Sequence, residues 1–81
     1  MLNVKVLGSG CANCKRLEQS VRRVADSMTL LIELEHVTDY AEIAKWNILQ
    51  TPGLVVNNKV VSAGRIPRDD EIARMLQAQP A

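Results

Sequence analysis

The chain has 81 residues, ten of them basic and nine acidic, for a net charge of +1. That balance argues against a broad electrostatic footprint for nucleic acid or an anionic membrane surface, and no stretch approaches the ~20 apolar residues of a membrane span. The length supports one domain, residues 1–81, whose modest core must be filled by Leu, Ile, Val and Ala, because there is no Phe, one Trp and one Tyr.

Met1-Leu2-Asn3-Val4-Lys5-Val6 lacks the long apolar stretch of a signal peptide, so the chain is expected to be soluble and cytoplasmic. Residues 2–7 are β-branched and mostly apolar, with near alternation, which predicts a strand. Gly8-Ser9-Gly10 then breaks it. Those glycines are incomplete as a dinucleotide fingerprint, and no Gly-Lys-Ser/Thr follows, so a phosphate loop is discounted.

From Cys14 the period changes. Leu17, Val21, Val24, Ala25 and Met28 recur at three- and four-residue steps, the buried face of an amphipathic helix. Lys15, Arg16, Glu18, Gln19, Arg22 and Arg23 cover its other face. Residues 30–37 predict a second strand, apolar on both faces in its first half, as in a covered parallel sheet. Asp39 with Glu42 matches a capping box, and the short helix after it should turn Tyr40, Ile43 and Ala44 inward. It should end near Trp46-Asn47, with Trp46 read as a packing residue.

Thr51-Pro52-Gly53 is a break. Residues 54–56 and 59–62 predict two short strands joined by Asn57-Asn58, residues that tolerate the positive φ of a tight hairpin. Ala63-Gly64 ends the second of them. Pro67 suits the first turn of a last helix, where Asp69, Asp70 and Glu71 complement the positive end. Its inward stripe is Ile72, Ala73, Met75 and Leu76. The order is β-α-β-α-β-β-α: a parallel β-α-β unit followed by an antiparallel hairpin.

The two cysteines, Cys11 and Cys14, are too few for a disulfide scaffold. In a cytosolic chain, Cys-x-x-Cys suggests a redox or metal role. Cys14 lies three residues before Leu17 and falls on the buried stripe. Cys11 lies a turn earlier, at or before the helix start, where a side chain still reaches solvent, so the two thiols should be unequal. The thiolate is the attacking species, and the unpaired amides of a helix N-terminus favour it. A mixed disulfide formed at Cys11 could then be resolved by Cys14.

A strand, Cys-x-x-Cys at a helix start, Thr-Pro before a β-hairpin and a closing helix together resemble the thioredoxin fold. Gly8-Ser9-Gly10-Cys11-Ala12-Asn13-Cys14-Lys15, Thr51-Pro52-Gly53-Leu54-Val55-Val56-Asn57 and Lys59-Val60-Val61-Ser62-Ala63-Gly64 are similar to the small thioredoxin-like family called redox-active disulfide protein 2. The resemblance covers essentially the whole chain. It implies a thioredoxin-like α/β fold with a four-stranded mixed sheet flanked by helices. It also implies Cys11 as the attacking thiol, Cys14 as the resolving thiol, and Pro52 as a cis-proline beside them. Thr51 would offer its backbone to an extended substrate segment, and Gly10, Ala12 and Asn13 would line the same substrate site.

The departures are specific. Gly10 precedes Cys11 where thioredoxins usually carry Trp, and Ala12-Asn13 replaces their Gly-Pro. The Pro-Tyr and Thr-Val-Pro of glutaredoxins are missing, which puts glutathione use in doubt. The buried acid many thioredoxins place before the motif has no match; Lys5 falls near its place.

The expected function is thiol–disulfide exchange of the Cys11–Cys14 pair with protein disulfides, a thioredoxin- or glutaredoxin-like electron-transport role in cell redox homeostasis. It needs no cofactor beyond that pair, binds no metal, takes electrons from an upstream reductase, and works as a monomer. Two alternatives stand beside it: a soft-metal carrier binding Cu(I) or zinc through its thiolates, and a non-catalytic thioredoxin-fold interaction module. His36 could add a nitrogen to a zinc site but reads first as a strand-end histidine with no metal role. The basic run Lys15, Arg16, Arg22 and Arg23 reads first as a solvated helix face. It could also guide an acidic partner to the thiols.

Overall fold

In chain order the elements are β1 (Leu2–Leu7), α1 (Ala12–Ser27), β2 (Ile32–Val37), α2 (Tyr40–Ala44), β3 (Gly53–Val56), β4 (Lys59–Ala63) and α3 (Asp69–Gln77). The computed structural model describes residues 2–8, 12–48 and 50–77. The strands form one mixed sheet in the order β2-β1-β3-β4. β1 runs parallel to β2 and antiparallel to β3, and β3 runs antiparallel to β4. This is the thioredoxin-like arrangement expected from the sequence.

Alternation along the two central strands decides the layering. Leu2, Val4 and Val6 of β1 and Leu54 and Val56 of β3 point to one face. There they meet Cys14, Leu17, Val21, Val24 and Ala25 of α1, and Ile72 and Leu76 of α3. Leu7 and Val55 point to the other face, where Val37 and Ile43 complete a smaller cluster flanked by Trp46, Ile48 and Val60. β3 is therefore buried on both sides and β1 on one side and at its C-terminal end, while α1 and α3 need only one apolar stripe each.

The start of the second strand differs from expectation. Leu30 instead closes the end of α1, and Leu31 precedes the strand, its carbonyl accepting from Leu2 N–H (3.1 Å). Thr29 N–H donates to Asp26 O (3.1 Å) and Leu30 N–H to Ala25 O (2.9 Å), with Thr29 at φ 55°. That is a Schellman ending with a β-branched residue in the left-handed position glycine usually takes. β2 begins at Ile32 and is an edge strand, alternately half-buried and exposed, and Leu31 is 75% exposed. The apolar start of this segment therefore does not mark a strand covered on both faces.

α2 also departs from its pattern. Only Ile43 is buried; Tyr40 is 72% exposed and Ala44 is exposed as well. A helix of five residues presents a single turn to the sheet, so one side chain is all it can bury. Asp39 caps it by accepting a hydrogen bond from Ala41 N–H (2.9 Å). Glu42 pairs with Lys45 (3.0 Å) rather than returning to the cap.

The hairpin turn is as expected, with Asn57 at φ 50° and Asn58 at φ 66°. Asn57 also ties the turn to the sheet. Its N–H donates to Asn3 O (2.7 Å), and its side-chain oxygen accepts from Asn3 N–H (2.9 Å). β4 carries a bulge opposite Leu54 and Val55, and Gly64 at φ 81° turns the chain out of it.

Pro67 is buried but lies two residues before α3 rather than in its first turn. Arg68 carries the cap instead: its carbonyl accepts from Ile72 N–H (2.9 Å), and its own N–H donates to Glu71 Oε1 (3.1 Å). Arg65 grips the same carboxylate with both terminal nitrogens, at 2.7 and 3.3 Å. These hydrogen bonds, the Arg65 side chain first and the Arg68 backbone second, hold the Glu71 carboxyl down at about 2, from an ordinary 4.5. Among the described residues no helix is long and apolar enough to cross a membrane.

Two expected outcomes follow from these termini. Thr29→Gly should stabilise the protein by about 1 kcal/mol in urea unfolding, because glycine relieves the left-handed backbone at α1's end. Glu71 contributes stability that is complete above about pH 4.5 and lost as pH falls toward about 2. Glu71→Gln should accordingly be less stable than the parent at neutral pH. The gap should close across that interval when unfolding is followed against pH.

Candidate active site

β1 delivers the chain to Gly8, whose N–H donates to Val37 O (2.9 Å) at the end of β2. α1 begins at Ala12 and runs back along the sheet, so its first turn stands over the C-terminal end of β1. The helical phase that buries Leu17 and Val21 also buries Cys14, which is 0% exposed. Ala12 and Asn13 precede it on the outside and are exposed.

The closest approach at the site is between Gly8 and Cys14. A Cβ placed on Gly8 would overlap Cys14 Sγ and come within 3.7 Å of Thr51 Cβ. The end of β1, the first turn of α1 and the approach to β3 thus meet at one point. A side chain at residue 8 would occupy the space the buried sulfur takes. Sequence reasoning treated Gly8 as part of a loop; only its contact with Cys14 marks it as part of the site.

The third stretch is the approach to β3. The Thr51–Pro52 peptide bond is cis, as the resemblance implies. Pro52 is buried and its carbonyl accepts from Gly64 N–H (2.9 Å). Thr51 is exposed, and its backbone enters no backbone hydrogen bond among the described residues. Of the residues expected at the site, Cys14, Thr51 and Pro52 therefore sit together, with Ala12 and Asn13 on the adjoining helix turn. Gly10 and Cys11 lie outside the described residues.

Charged neighbours divide between the two faces. Lys5 aligns with Val55, on the face opposite Cys14, and pairs with Glu35 (2.9 Å). Lys5 therefore does not stand in for an acid beside the thiols. On the α1 face, Glu18 lies one helical turn after Cys14. Its carboxylate oxygens lie 3.4 Å from His36 Nδ1 and 3.4 Å from Arg22 Nε. The strand-end histidine of the sequence thus has an acidic neighbour on the helix, while its Nε2 is buried with no hydrogen-bond partner among the described residues.

Comparison with known proteins agrees with this geometry. A family profile described as a thioredoxin domain matches residues 2–77. A thioredoxin of Methanocaldococcus jannaschii is 31% identical over 78 residues, covering 96% of this chain and 90% of that protein. A thioredoxin of Methanothermobacter thermautotrophicus is 29% identical over 76 residues, covering 94% and 99%. With the sheet order, the closing helix and the meeting of Gly8, Cys14 and Thr51 in place, the match over nearly the whole chain shows that this protein belongs to the thioredoxin-domain family.

Proposed function

We propose that the protein is a thiol–disulfide oxidoreductase that uses Cys11 and Cys14 to reduce protein disulfides. The observation that carries this reading is the meeting of Gly8, Cys14 and Thr51 at the start of α1. A buried sulfur held against a glycine, beside exposed Thr51, whose backbone enters no backbone hydrogen bond among the described residues, suits a site where an extended substrate lies across a thiol pair.

In this reading the Cys11 thiolate attacks one sulfur of the target disulfide. A mixed disulfide forms and the other target sulfur leaves as a thiolate. Cys14, having lost its proton, then attacks the Cys11 sulfur and expels the second target sulfur. Two electrons pass to the target, which ends as two thiols, and Cys11 and Cys14 end as a disulfide. An upstream dithiol reductant must return the two electrons. No cofactor takes part beyond the cysteine pair, and Thr51 offers its N–H and C=O to the target backbone while Gly10, Ala12 and Asn13 form the adjoining surface. The setting that fits is the reducing cytoplasm, with the protein acting as a monomer.

Burial supports the roles. Cys14 is fully enclosed, which favours Cys11 as the thiol that attacks first. Cys14→Ser should therefore accumulate a mixed disulfide with a disulfide-bearing test protein, at least tenfold more than Cys11→Ser does, as read on non-reducing gels and by mass spectrometry. Equal trapping by the two variants would refute the assignment. Should the reduced protein trap nothing and instead hold one equivalent of Cu(I) or zinc against a chelator, the metal-carrier reading would replace this one.

Gly8→Ala offers a second check. The added methyl must displace the Cys14 sulfur or the strand end, which should cost about 1–3 kcal/mol in urea unfolding. It should also lengthen the life of the mixed disulfide in stopped-flow measurements, because the resolving sulfur is out of line. Unchanged stability and unchanged resolution would show that the close approach has no part in the chemistry.

A further inference from the structure

Seven of the ten lysines and arginines face a carboxylate. Lys5 pairs with Glu35, Lys45 with Glu42 and Arg65 with Glu71. Arg68 and Arg74 both reach Asp70. On α1 itself, Arg22 Nε lies 3.4 Å from Glu18 and Arg23 Nη2 lies 3.0 Å from Asp69 of α3. Lys15 and Arg16 carry no ion pair among the described residues and are both exposed. Lys59, likewise without an ion pair, sits at the hairpin end of the sheet, away from Gly8.

The helix surface explains why these two stay uncompensated. The residues three and four positions from Arg16 are Ala12, Asn13, Gln19 and Ser20, none of them acidic. Lys15 has one acid in reach, Glu18, and that carboxylate is engaged by Arg22 and lies beside His36. The first turn of α1 contains no Asp or Glu. Cations this close to a helix N-terminus oppose its dipole, so helix stability does not account for the pair. They follow Cys14 directly, and their positive potential acts at the mouth of the thiol site.

We propose that Lys15 and Arg16 form a docking patch for an acidic segment of the protein that carries the target disulfide. The proposal rests on the thiol–disulfide reading and names its substrate class: disulfides flanked by Asp or Glu. Two exposed charges steer encounter more than they hold a complex, so the preference belongs in the second-order rate and should be sensitive to salt.

The test uses two synthetic peptides with the same disulfide, one flanked by glutamates and one by glutamines. Reduction rates are measured for the full chain and for the double variant Lys15→Gln/Arg16→Gln, at about 20 mM and about 500 mM salt. The parent should reduce the glutamate peptide about three- to tenfold faster at low salt, and the advantage should fade at high salt. In the double variant the advantage should fall to near one. Any change in thiolate reactivity caused by losing two cations affects both peptides alike, so the ratio isolates docking. Equal rates for the two peptides with the parent protein, or an undiminished ratio in the variant, would overturn the patch while leaving the oxidoreductase reading intact. Reduction of neither peptide would overturn that reading and the patch with it.

Discussion

The fold rests on one contact surface: the apolar stripe of α1 laid against alternate residues of β1 and β3. Leu17, Val21, Val24 and Ala25 pack on Leu2, Val4, Val6, Leu54 and Val56, and α3 closes the same layer with Ile72 and Leu76. Burying each such side chain stabilises the fold by roughly 1.5–3 kcal/mol. Cys14 is the first member of that stripe. Its position is therefore set by the same packing that holds the domain together, and the sulfur cannot shift without disturbing the helix against the sheet. Gly8 completes the arrangement by leaving room where β1 ends.

The opposite layer is thin. One turn of helix, Ile43 with Trp46 and Ile48 behind it, covers Leu7, Val37 and Val55. The asymmetry separates two tasks. The thick layer positions the buried thiol and the helix start, and the thin layer carries the chain across to Thr51 and Pro52. Both ends of the site thus derive from the central strands, β1 through Gly8 and β3 through the residues just before it. Electrostatics follows the same division. Ion pairs brace α3 and the Lys5 face of the sheet, and Lys15 and Arg16 near the start of α1 have no ion pair among the described residues.

Much of this was legible in the residues. The 3.6-residue period from Cys14 onward predicts which thiol is buried, because one helical stripe cannot face both core and solvent. Asn57-Asn58 predicts its turn because few other residues adopt positive φ without strain. Elsewhere local pattern misled. Leu30 and Leu31 look like the start of a buried strand, yet Leu30 closes a helix and Leu31 is exposed, because the hydrogen bonds of a Schellman turn depend on where α1 stops against the sheet. Tyr40 and Ala44 share an apolar pattern with Ile43 but not its burial, since a single turn touches the sheet at one point.

By itself the sequence determined the element order, the burial of Cys14 and the turn chemistry, all of which depend on neighbours a few positions apart. Only the tertiary structure decided that β2 lies at the sheet's edge, that Lys5 faces away from Cys14, and that Glu18 meets His36. It alone brought Gly8 against the Cys14 sulfur and close to Thr51. The reason is physical: such contacts join residues from six to some forty positions apart, and they exist only once the α1 stripe has found the central strands. Spacing along the chain can place a thiol at a helix start, but the surroundings of that thiol are a property of the packed layers.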